Sequence, residues 1–83
     1  MKLDHLRYFD RLADMLSYTN AAKSLYIAQP TLSAAIKRME QEVGLTLFRR
    51  AEGVASGVEL TEQGRIFHEY VVQALECYDT GLS

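Results

Sequence analysis

Eighty-three residues, 48% of them hydrophobic, suffice for one small core and no more. A single cysteine, Cys77, and two distant histidines, His5 and His68, exclude a disulfide framework and a multi-cysteine zinc site. The net charge of −2 is unevenly spread: residues 1–50 carry eight bases against five acids, and residues 51–83 one base against six. A basic front half can face phosphate while an acidic back half faces solvent or a partner, although ordinary surface solvation produces the same totals. The N-terminus is broken by charges every two or three residues, so it lacks the apolar stretch of an export signal. No apolar run approaches the ~20 residues of a membrane span. A reducing cytoplasm is the expected compartment.

Leu3, Leu6, Phe9, Leu12, Ala13 and Leu16 recur at helical spacing and predict an amphipathic helix over 3–16. Thr19 is the expected N-cap of a short second helix running from Asn20 to Leu25, with Ala21, Ala22 and Leu25 inward. Tyr26-Ile27-Ala28 makes a tight connection. A third helix, about 29–43, begins at Gln29-Pro30, because proline in the first turn loses no hydrogen bond. Leu32, Ile36, Met39 and Val43 form its apolar stripe, and Gly44 ends it in the left-handed conformation.

Leu47 and Phe48 return to the core, and the pattern then changes period. Leu47–Arg50 and Val58–Leu60 read as the arms of a β-hairpin around a flexible seven-residue loop, 51–57. Thr61 caps a final helix expected over 62–80, with Glu62 favourably placed at its positive end. Ile66, Phe67, Tyr70, Val71, Ala74, Leu75 and Tyr78 form one apolar face along it. A helix this long on so small a body should overhang and offer that face to a partner, although packing on its own domain is the other reading.

The central pattern joins Ala21-Ala22, Leu25 and Ile27 to Leu32 and Ile36. Small and apolar residues across so short a connection force two helices to cross steeply, and this projects the start of the second helix outward. A plain three-helix packing motif fits the same spacing. The exposed residues favour nucleic acid. Gln29, Thr31 and Ser33 are uncharged and hydrogen-bonding, suited to base edges, with adenine a natural partner for Gln29. Lys37 and Arg38 are suited to phosphates. Arg49 and Arg50 at the hairpin root are phosphate candidates too, or else partners of Glu40 or Glu42. Tyr18 and Tyr26 read as packing residues whose polar tips can reach phosphate. No metal, cofactor or catalytic constellation is expected: the histidines stand alone, Cys77 has no nearby histidine, and Ser33 lacks triad partners.

These residues, in this order, resemble the N-terminal domain of LysR-type transcriptional regulators over 3–64. The resemblance rests on Leu6-Arg7-Tyr8-Phe9, Ser17-Tyr18-Thr19-x-Ala21-Ala22-x-x-Leu25, Gln29-Pro30-Thr31-Leu32-Ser33, Ile36-Lys37-Arg38-Met39-Glu40, Gly44-x-x-Leu47-Phe48-x-Arg50 and Leu60-Thr61-x-x-Gly64. It implies a mainly α winged helix-turn-helix over 1–60, three helices and a two-stranded wing, followed by a linker and dimerisation helix over 61–83. It implies that Gln29, Pro30, Thr31, Ser33, Ala34 and Lys37 face DNA, to which Asn20, Arg38, Arg49 and Arg50 are added. It further implies a homodimer on a double-stranded operator, with a tetramer possible in the longer protein. A small-molecule effector is expected only through a C-terminal domain, which has no counterpart before Ser83. Ala28, Ala34 and Ala35 depart from the family pattern, standing where a capping serine and longer polar side chains are common; the wing carries Glu52 where a base is common. The acidic total and alanine-rich tip keep open a second function, protein–protein assembly without specific DNA binding.

Overall fold

The computed structural model describes residues 1–81 and folds them as three helices, a hairpin and a fourth helix. Helix α1, Leu3–Met15, ends where Leu16 turns left-handed (φ 54°) and donates its N–H to the Leu12 carbonyl. Helix α2, Tyr18–Leu25, begins two residues earlier than Thr19 capping would allow. Ser17 is the cap: its backbone is extended, and its hydroxyl oxygen accepts from the Asn20 N–H at 3.2 Å. The reason is tertiary. Ser17 bridges to Gly57 of the hairpin loop, which holds it in the β conformation an N-cap needs and leaves Thr19 inside the helix.

Tyr26, also left-handed at φ 58°, closes α2 and turns the chain into helix α3, Gln29–Val43. Ala28 caps α3 without a side-chain hydrogen bond, Pro30 lies in its first turn, and Gly44 at φ 72° ends it. Fully buried Phe9, Leu12, Leu32, Ile36, Met39 and Leu47 form the centre of the core. Ala21 and Ala22 are buried between α2 and its neighbours, as their size requires for close helix approach. Phe9 packs its ring 5.2 Å from both Phe48 and Phe67, so one α1 side chain joins the hairpin to the last helix.

Strands β1, Phe48–Arg50, and β2, Val58–Leu60, pair antiparallel with Phe48 opposite Leu60 and Arg50 opposite Val58. The C-terminal end of the loop between them is fastened to the body of the domain. Tyr18 donates its N–H to the Ser56 carbonyl, and Val58 donates to the Leu16 carbonyl, both at 3.1 Å. The wing is therefore anchored to the junction of α1 and α2.

Helix α4, Glu62–Glu76, starts at Thr61, whose hydroxyl oxygen accepts from the Gly64 N–H at 2.9 Å while the same hydroxyl group meets the Thr46 carbonyl. The five residues after it, Cys77–Gly81, wind as a π-helical turn, so the regular α-helix is shorter than the 62–80 expected. Helix α4 packs against α1. Phe67 meets Phe9, His68 meets Asp10 at 2.8 Å, and Asp79 meets Arg7 at 2.8 Å. The expected single apolar face consequently divides. Val71 and Leu75 are buried in the chain's own core, with Phe67 half-buried beside them. Ile66, Tyr70 and Ala74 form a separate exposed stripe, and Tyr78 lies half-exposed with the Arg7 guanidinium 6.0 Å from its ring centre.

Candidate nucleic-acid interface

The buried residues of α3 are Leu32, Ala35, Ile36 and Met39. The helix therefore presents two adjoining outward lines, Gln29-Ser33-Lys37 and Pro30-Ala34-Arg38, with Thr31 beside them, all exposed. At ~1.5 Å per residue, Gln29 and Lys37 stand about 12 Å apart along the axis. Ala34, expected on this surface, is exposed there. Ala35 is 6% exposed and belongs to the core, where a longer polar side chain would have to be buried. Asn20 is exposed at the start of α2.

Two concavities flank the tip of α3. On one side Pro30, Thr31, Ala34 and Arg38 form one wall of an open groove of about 700 Å³, and Lys2, His5 and Tyr8 of the N-terminal segment form the other. On the opposite side Gln29 and Arg50 line a smaller cleft of about 260 Å³ with Tyr18, Ser56 and Val58. The structure thus brings Gln29 and Arg50 together, from helix and wing. The cleft has a wall of hydroxyls: the Thr19 hydroxyl lies 3.3 Å from Gln29 Oε1 and 3.0 Å from the Ser56 hydroxyl. Thr19 and Ser56 were not legible as site residues. Thr19 reads as a cap until Ser17 takes that place, and Ser56 reads as loop until the wing docks.

The two adjacent arginines have different surroundings. Arg49 pairs across the hairpin with Glu59, Nε to Oε1 at 2.6 Å, and not with Glu40 or Glu42. Glu40 is engaged elsewhere, its Oε2 accepting from the backbone N–H groups of Leu47 at 2.7 Å and Phe48 at 3.2 Å. Glu42 faces the N-terminal ammonium at 3.7 Å. Among the described residues Arg50, Lys37 and Arg38 have no carboxylate within ion-pair distance, so their charges are available to an anion. Burial, with the charge of Glu40 adding to it, raises the Tyr18 phenol above its ordinary pKa and keeps it a neutral hydroxyl at the cleft.

Uncharged hydrogen-bonding groups at a projecting helix tip, with unpaired cations behind and beside it, match what reading base edges between two phosphate backbones demands. Among the described residues no three of His, Cys, Asp and Glu cluster to hold a metal ion. His68 is occupied by Asp10, and Cys77 is exposed on the last turn.

Residues 3–65 match the family model for bacterial regulatory helix-turn-helix proteins of the lysR family. The HTH-type transcriptional regulator BudR of Klebsiella aerogenes is 49% identical over 82 residues, which are 99% of this chain and 55% of that protein. The chain thus spans about half the length of that relative, and 27% of BudR from Raoultella terrigena, to which it is 44% identical. Among solved structures, the BenM DNA-binding domain in complex with benA site 1 DNA superposes with a TM-score of 0.89 at 38% identity, covering 99% of this chain and 92% of that one.

Proposed function

Because the chain belongs to the lysR family of bacterial regulatory helix-turn-helix proteins, we propose that it binds double-stranded DNA sequence-specifically and so regulates transcription, entering the major groove with α3. The observation that carries this reading is the exposed tip of α3, where Gln29, Thr31 and Ser33 project between the available charges of Arg50 on the wing and Arg38 behind. In this reading Gln29, Pro30, Thr31, Ser33 and Ala34 meet base edges. Asn20, Lys37, Arg38 and Arg50 meet phosphate, and Arg49 does so only if it leaves Glu59. Residues 1–60 are the reading unit and 61–83 the linker.

The chain works as a homodimer joined through the outer stripe of α4, Ile66, Tyr70 and Ala74, with Tyr78 at its end. Two large apolar side chains exposed one turn apart, at 51% and 66%, support this. Its role is recognition and not catalysis. No helix among the described residues is long and apolar enough to cross a membrane, and a regulator of bacterial transcription works in the cytoplasm. Effector sensing belongs to sequence beyond the part of the relatives that this chain spans.

Fluorescence anisotropy tests the reading, on a duplex selected from a random library and on random DNA, each over a series of salt concentrations. Gln29→Ala should cost about 1–3 kcal/mol on the selected duplex and little on random DNA. Lys37→Ala should weaken both alike and lower the salt slope by about one unit per subunit. Binding no tighter to the selected duplex than to random DNA at low salt would replace the reading with assembly alone.

A further inference from the structure

Successive residues of α3 turn by about 100° around its axis. With Leu32, Ala35, Ile36 and Met39 buried, Gln29 lies on one flank of the outward side, and Thr31 and Arg38 lie on the other. The flank of Gln29 carries the wing cleft with Arg50. The flank of Thr31 and Arg38 carries the larger groove of about 700 Å³, whose opposite wall is Lys2, Asp4, His5 and Tyr8. That wall is held in place. Lys2 caps α1, its carbonyl accepting from the His5 N–H at 3.0 Å and the Leu6 N–H at 3.3 Å. The Met1 ammonium stands 3.7 Å from Glu42 near the end of α3, and the His5 and Tyr8 rings lie side by side, 6.1 Å between centres. Lys2 is exposed and, like Arg38 across from it, has no carboxylate within ion-pair distance among the described residues. Asp4 is the acid on that lining.

A helix of ~10–12 Å diameter fills a major groove about 12 Å wide, so the two phosphate backbones run along its two flanks. We infer that the groove between α1 and α3 seats the DNA backbone opposite the one the wing meets. Lys2 and Arg38 hold its phosphates from the two walls. Asp4 faces the same strand and, by like-charge repulsion, holds the affinity down. This deepens the DNA-binding reading and rests on it. It adds to the interface the segment ahead of α1, which the residue pattern leaves out. Thr31 and Ala34 belong both to the helix tip and to the groove wall, so a duplex engaged by the tip brings a strand to that wall. The cations there serve position and affinity and carry no base preference of their own.

The test uses the 83-residue chain and a duplex it selects from a random library. Phosphates of that duplex are neutralised one at a time as methylphosphonates. Each duplex is titrated with the wild type, Lys2→Ala, Arg50→Ala and Asp4→Asn, all checked for unchanged helical circular dichroism. Lys2→Ala should lose one phosphate contact per subunit, which makes the fall in affinity between about 50 and 200 mM salt about threefold shallower per contact. The methylphosphonates that weaken the wild type should include two sets, on strands facing each other across the major groove. Those of one set should cost Lys2→Ala nothing and Arg50→Ala the full amount, and those of the other the reverse. Asp4→Asn should tighten binding to selected and random duplexes, and the gain should shrink on duplexes neutralised in the Lys2 set. If no phosphate couples to Lys2, or if Lys2 and Arg50 couple to the same phosphates, the proposal is overturned. An Asp4→Asn protein that binds no tighter overturns it as well. In each of these cases the selected duplex is still bound, so the DNA-binding reading stands. If the wild type enriches no duplex, that reading fails and the proposal with it.

Discussion

Arg49 and Glu59 face each other across the wing hairpin, Nε to Oε1 at 2.6 Å, while the next residue, Arg50, opens onto the cleft beside Gln29. Neighbours in sequence thus differ in availability, because alternate residues of a strand point to opposite faces and only one meets a carboxylate. Arg50→Ala should weaken binding to selected and random duplexes alike and lower the salt slope by about one unit per subunit. Arg49→Ala should change the slope by less than half as much, and Glu59→Ala, by releasing Arg49, should tighten binding. Equal effects of the two arginine variants would show that the pair opens on DNA.

The divided faces of α4 separate two substitutions that the sequence alone treats as equivalent. Leu75 is 6% exposed and Tyr70 is 66% exposed. Leu75→Glu should bury a carboxylate without a partner and abolish cooperative unfolding. Tyr70→Glu should leave the thermal midpoint within about 3 °C, a surface-substitution effect, while shifting sedimentation toward monomer. A dimeric Tyr70→Glu protein would place the seam elsewhere.

Gly64 lies in the first turn of α4, where an added Cβ would stand 2.0 Å from the carbonyl oxygen of Leu47. The obstacle is backbone, held by Thr61 and by the start of β1, so it cannot rotate aside. Gly64→Ala should cost about 3 kcal/mol through overpacking, despite the higher helix propensity of alanine. For a domain of this size that corresponds to a fall of roughly 12 °C or more in Tm. Calorimetry checks it, and a stabilised variant would contradict the close approach.

At the other end of α4, the hydrogen bond from Arg7, reinforced by its charge, lowers the Asp79 carboxyl below its ordinary range, and the same contact raises Arg7. The folded value lies below the unfolded one, so the clasp is complete above the ordinary aspartate pKa and fades as pH falls through the lowered value. A carbon-13 NMR titration should find Asp79 ionising at lower pH than free aspartate, and Arg7→Ala should return it to the ordinary range. An unchanged midpoint in Arg7→Ala would show that the clasp does not form.

Features governed by local chemistry were legible in the sequence. Pro30 and Gly44 mark the start and stop of α3 through their own backbone preferences, and both hairpin arms follow from the change of period at Leu47. What was not legible depends on contacts far along the chain. Ser17 displaces Thr19 as cap only because Gly57, forty residues later, bridges to it. Periodicity marks Val71, Leu75, Ile66 and Tyr70 alike as apolar, and only the course of α1 decides which of them the core receives. The outward side of α3 was readable at Gln29, Thr31 and Ser33, because helical spacing and the buried Leu32 and Ile36 fix it. Ala35, one position from that boundary, belongs to the core.

The two stripes of α4 also bear on how such a chain can diverge. Val71 and Leu75 are committed to the fold, so a polar or badly sized replacement there costs stability. Ile66, Tyr70 and Ala74 carry no such duty and can drift without risk to folding. In the proposed dimer, sister regulators that share one cell after gene duplication can lose affinity for each other through a few changes on the outer stripe. Each would keep its own core, and mixed pairs with mismatched operators would cease to form.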